Sequence, residues 1–109
     1  MSFSGTVLAD GQLPSTKGTL YTVPADTVAY VKYLSLYNTN AAGQTILIYL
    51  NVSGTSRLIR RFTLEENESA DLLDEGQSLQ LQAGDLIEAV TTTATAVDYV
   101  ITGVAEDIS

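Results

Sequence analysis

The amino-acid sequence predicts an all-β fold: a single antiparallel β-sandwich, jelly-roll-like, of eight or nine short strands. Two observations predict it. β-Branched and aromatic residues recur in short alternating runs, punctuated by Gly, Asn, Asp and Pro at about the 8–12-residue rhythm of sandwiches. Nothing longer than one turn carries helical periodicity. The length agrees: 109 residues make one domain, able to bury roughly 65% of its extended surface around one core.

Taken in order, residues 1–12 read as an N-terminal arm, with a first candidate strand at 6–9 stopped by the turn pair Asp10-Gly11. The sandwich domain spans 13–105 and a loose tail 106–109. Strand 18–23 runs into Pro24-Ala25-Asp26-Thr27, a turn in which proline presets φ at the second position. The longest strand begins at Val28 and ends near Thr39. One of its faces carries Val28, Tyr30, Lys32, Leu34 and Leu36, the other Ala29, Val31, Tyr33, Ser35 and Tyr37. Both are largely apolar, which predicts cover on both sides. After a polar connector, strand 44–51 places Ile46, Ile48 and Leu50 on one face. Across the Ser53-Gly54 turn, strand 57–64 places Leu58, Phe62 and Leu64 on one side, and Arg57, Ile59 and Arg61 on the other. Short strands at 70–73, 79–82 and 86–92 follow, the last two joined by Ala83-Gly84-Asp85, and the final strand occupies 97–104.

The chain has no cysteine and no histidine. Disulfides, thiolate chemistry, and the commonest general base and imidazole ligand are therefore excluded. Thirteen acids against five bases leave a net charge of −8, which repels nucleic-acid phosphates and anionic membrane surfaces alike. No apolar run approaches a membrane span, and Met1-Ser2-Phe3-Ser4-Gly5 has neither the basic nor the apolar region of a signal peptide. The expectation is a protein made in the cytoplasm and unprocessed, with no nucleic-acid or membrane partner.

The acids concentrate in Glu65, Glu66, Glu68, Asp71, Asp74 and Glu75. They read either as a calcium site or as a solvated rim; the spacing of an EF-hand is absent. A paired-carboxylate glycosidase is disfavoured because acids in turns stay ionised. Serines have no histidine to activate them, and neither Lys17 nor Lys32 lies in a Ser-x-x-Lys pattern. The expectation is a non-enzyme without catalytic residues, cofactor or metal. Two groups point instead to partner contact. Arg57, Arg60 and Arg61 hold three of the five basic residues within five positions; they either pair with the acidic rim after them or form a basic stripe that meets the acidic turns, Glu65 and Glu66 among them, of another subunit. Tyr33 and Tyr37 share one strand face, as a wet sandwich rim or a contact patch.

The segment Leu79-Gln80-Leu81-Gln82-Ala83-Gly84-Asp85-Leu86-Ile87 resembles a hairpin of trimeric jelly rolls of the tumour-necrosis-factor type. More broadly, the order Leu13-Pro14-Ser15, Gly18-Thr19-Leu20-Tyr21-Thr22-Val23-Pro24-Ala25, Leu36-Tyr37-Asn38-Thr39, Ala83-Gly84-Asp85 and Val97-Asp98-Tyr99-Val100-Ile101-Thr102-Gly103 resembles small virion proteins of tailed bacteriophages. That resemblance implies a capsid decoration (cement) protein, located in the virion. Its implied partners are the major capsid protein and copies of itself, as a homotrimer, with the arm reaching a neighbouring subunit. The alternatives are a tail, baseplate or host-binding accessory, and a carbohydrate- or calcium-binding module.

Overall fold

A computed structural model describes residues 6–71 and 79–107. Among these the elements are β1 (Thr6–Gln12), β2 (Gly18–Thr22), β3 (Thr27–Asn38), β4 (Gln44–Val52), β5 (Thr55–Leu64), β6 (Ser69–Asp71), β7 (Leu79–Leu81), β8 (Leu86–Thr91) and β9 (Val97–Asp107). Every pairing is antiparallel.

One sheet runs β1-β9-β3-β6, with β7 also on β3, and the other runs β2-β8-β4-β5. β6 pairs with 35–37 of β3 and β7 with 29–31, so the two are pieces of one edge position. Counted so, each sheet holds four strands among the described residues, and the chain changes layer between consecutive strands except at the β4-β5 hairpin. Leu34, Leu36, Ile46, Ile48, Ile87 and Ile101 are fully buried between the layers, each contributing about 1.5–3 kcal/mol by leaving water.

Tight turns set the register. Val52 pairs with Thr55 across Ser53-Gly54, both at positive φ (55° and 87°), the two-residue hairpin whose twist matches its strands. In the Gln82–Asp85 turn, Asp85 N donates to Gln82 O at 3.0 Å, with Gly84 at φ 88° in the third position, as a type II turn requires. The turn after β2 is centred on Ala25 and Asp26, with Asp26 at φ 56°. Pro24 therefore occupies its first position, not the expected second.

Three expectations need correction. The presumed arm is largely structured, since β1 forms the edge strand beside β9; residues 1–5 lie outside the described segments. β9 runs to Asp107, three residues past the expected end, because it stays paired with β3 as far as Thr27–Asp107. Most importantly, β3 is not covered on both sides. Its register with β9 shifts between Val31 and Tyr33, leaving Lys32 as an extra, bulged residue. The core-facing phase is Ala29 and Val31 before the bulge but Leu34 and Leu36 after it, with Val28 of the other phase also covered at the start of the strand. Two apolar phases in the sequence are one buried face with a change of parity.

One end of the sandwich is closed by buried amides. Asn38 Nδ2 donates to the carbonyls of Ala42, Leu64 and Glu65 at 3.0–3.1 Å, and its Oδ1 accepts from Asn40 N at 2.9 Å. Gln44 Oε1 accepts from Thr91 Oγ1 and Thr93 N at 3.0 and 2.8 Å. The loops after β3, β5 and β8 are thus tied to strand side chains, and among the described residues no buried side-chain polar atom lacks a partner.

Candidate functional site

The bulge at Lys32 turns Tyr33 and Tyr37 outward together. Across the first sheet, Tyr33 lies opposite Thr102, Ser35 opposite Val100, and Tyr37 opposite Asp98, while Val7, Asp10 and Gln12 occupy the same rows on β1. This face exposes large apolar groups: Val7 by 59%, Tyr33 by 47%, Tyr37 by 42% and Val100 by 38%. Carboxylates interleave them. Asp98 accepts from Gln12 Nε2 at 3.2 Å and Asp71 from Ser35 Oγ at 2.9 Å, while Asp10 is exposed. Tyr37 OH donates to Asn67 Oδ1 at 3.1 Å, so this tyrosine is held against the turn that carries Glu65 and Glu66.

That turn is locally built. Glu68 N donates to Glu65 O at 3.1 Å, Asn67 has φ 62°, and Glu65 N donates to Glu68 Oε1 at 2.6 Å. Its carboxylates are exposed. Asp74 and Glu75 of the acidic group lie outside the described residues. Among the described residues, no three potential metal-ligating side chains cluster, and no helix is long and apolar enough to cross a membrane.

The arginines sit in the other layer, and not as one stripe. Ile48 pairs with Arg60 and Tyr49 with Leu58, leaving Ile59 bulged. Ile59, Phe62 and Leu64 face the core, and Leu58 turns outward, 53% exposed; the expected grouping of Leu58 with Phe62 and Leu64 is therefore wrong. Arg61 shares the outward face with Leu47 and Leu58, whereas Arg57 and Arg60 oppose Leu50 and Ile48 on the inward side of this edge strand. All three arginines are exposed. Arg60 Nη1 donates to Ile59 O at 3.2 Å, and among the described residues no ion pair joins the arginines to the acidic turn.

Beside them is an outward cluster that sequence reading missed. Val90 pairs with Leu47, and Tyr49 lies between Glu88 and Leu58. Lys17 Nζ sits 4.7 Å from the centre of the Tyr49 ring and donates to Ser56 Oγ at 3.1 Å, which in turn donates to Glu88 Oε1 at 2.8 Å. The cation over the ring and the hydrogen-bonded carboxylate hold this face rigid. The available signal was the run Thr45-Ile46-Leu47-Ile48-Tyr49-Leu50, apolar in both phases.

The seven residues singled out by sequence thus divide. Tyr33, Tyr37, Glu65 and Glu66 gather around the first sheet's outer face and one end of the sandwich; Arg57, Arg60 and Arg61 line the far edge of the second sheet. No protein-family model matches the chain, and no curated protein or solved structure is significantly similar to it.

Proposed function

We propose that the chain is a structural virion protein that decorates and stabilises a bacteriophage head shell as an oligomer, acting through surface contacts rather than catalysis. The observation that supports the reading is the outer face of the first sheet: Val7, Tyr33, Tyr37 and Val100 stand exposed on a rigid, hydrogen-bonded sheet, flanked by Asp10, Asp71 and Asp98. Exposed tyrosine beside aliphatic groups on a fixed backbone is the composition of a protein-contact surface. Many copies of such a contact on a lattice reach a joint affinity that no single one has. The resemblance of the chain to small virion proteins supplies the choice of partner.

The test is co-sedimentation of the purified protein with empty phage shells, followed by heating of the decorated shells. Saturable binding with a raised shell melting temperature supports the proposal. Failure to bind shells, together with labelling of tail tips, replaces it with the tail or host-binding alternative.

A further inference from the structure

We infer that the chain associates with itself head to tail, the arginine-bearing edge of β5 on one copy seating on the acid-flanked tyrosine face of the next. The inference deepens the oligomeric part of the proposed function and rests on that reading only for its biological setting.

Basic charge is segregated on the molecule. Four of the five basic residues, Lys17, Arg57, Arg60 and Arg61, belong to the side of the molecule formed by the second sheet. The outer face of the first sheet carries Asp10, Asp71 and Asp98. Lys17 is engaged within its own copy, over Tyr49 and on Ser56. The three arginines are exposed and without a carboxylate partner among the described residues. Guanidinium groups pair with carboxylates in two-point geometry and stack on tyrosine rings, and the first-sheet face offers both.

The apolar parts correspond as well. Leu58 and Val52, exposed by 53% and 46%, accompany the arginines, and Val7, Tyr33, Tyr37 and Val100 accompany the aspartates. Each surface has an apolar centre, flanked mainly by carboxylates on the first sheet, where Lys32 is the one base of β3, and by guanidinium groups on the β5 edge, where the nearby Glu88 is engaged by Ser56 of its own copy. A second copy of this chain is therefore the occupant that the charges select. Like faces would set aspartate against aspartate or arginine against arginine, a cost that also fixes the register. Because the two surfaces differ, the contact is heterologous and closes into a ring, such as a trimer, or runs on as an open chain.

Size-exclusion chromatography with light scattering on the full chain tests this, at about 0.05 M and about 1 M NaCl, since screening at high salt weakens exposed pairs. The expected mass at low salt is a multiple of 11.6 kDa, with association at least tenfold weaker at high salt. The variants Arg57→Glu/Arg60→Glu/Arg61→Glu and Asp10→Lys/Asp71→Lys/Asp98→Lys each run as monomers, and mixing them restores a mixed oligomer. Far-UV circular dichroism checks their folding. If either misfolds, Leu58→Ser and Tyr33→Ser, exposed substitutions that leave the core intact, replace them, and each must weaken association. A monomeric wild-type chain overturns the inference and leaves the arginines as guards of an edge strand. An oligomer indifferent to both charge variants overturns it equally. A monomer that binds shells sinks the self-contact alone; a charge-switchable oligomer that ignores shells sinks the decoration reading alone.

Discussion

Asn38 shows how much one side chain holds. It is fully buried, and its single amide donates to the carbonyls of Ala42, Leu64 and Glu65 while accepting from a fourth backbone group, Asn40 N. Asn38→Asp keeps the volume but replaces the donor by a carboxylate oxygen facing those carbonyls. Stranded buried acceptors cost about 1–3 kcal/mol each, so chemical denaturation of this variant should show a loss of at least about 3 kcal/mol. Gly103 is constrained by space. A Cβ there would meet the Tyr30 carbonyl oxygen and crowd Val31 Cα, closer than any real side chain sits to backbone. Gly103→Ala should cost about 1–3 kcal/mol by forcing the strands apart, lowering Tm by about 4–8 °C per kcal/mol. Gly54 and Gly84 differ in kind: a Cβ there meets nothing within 4 Å, and positive φ alone calls for glycine.

At the scale of the element, the bulges explain what could be read from sequence and what could not. Strand positions and the turns at Ser53-Gly54 and Ala83-Gly84-Asp85 were legible because alternation and turn chemistry are local. The bulges at Lys32 and Ile59 were not, because one extra residue leaves no local mark and only a partner strand's register reveals it. Omitting Lys32 from the pattern leaves clean alternation, with Ala29, Val31, Leu34 and Leu36 inward and Tyr30, Tyr33, Ser35 and Tyr37 outward. Tyr33 and Tyr37 do share a face, as their spacing predicts, but Ala29 and Val31, which simple alternation adds to it, lie on the other side. Simple alternation groups Leu58 with Phe62 and Leu64, and Arg57 with Arg61, because the bulge at Ile59 hides the change of parity. Gly103 pairs with Val31 beside the bulge, so the crowding at Gly103 and the bulge belong together. Deletion of Lys32 should leave the core in register and make Gly103→Ala nearly neutral in the shortened background; equal cost in both backgrounds would separate the two features.

For the whole molecule, the predictable response is to alkali. Tyr99 is nearly buried, with its hydroxyl 3.5 Å from the Leu20 carbonyl of the opposite sheet. Burial, reinforced by the Asp10 carboxylate, raises its pKa above the usual value, and burial raises that of Tyr21. An acid with a raised folded-state pKa leaves stability untouched below its unfolded value of about 10 and removes it as pH climbs through the folded value. Urea unfolding should therefore show stability level below about pH 10 and falling above it, and Tyr99→Phe should fall less steeply. A different consequence follows from the place of β9, the last of the described strands and the one lying between β1 and β3. Neither neighbour has a partner in its sheet's middle until Val97–Asp107 has been synthesised. Without β9 the strands β1 and β3 have nothing to join them, so closing the first sheet depends on contacts distant in sequence, which slow folding.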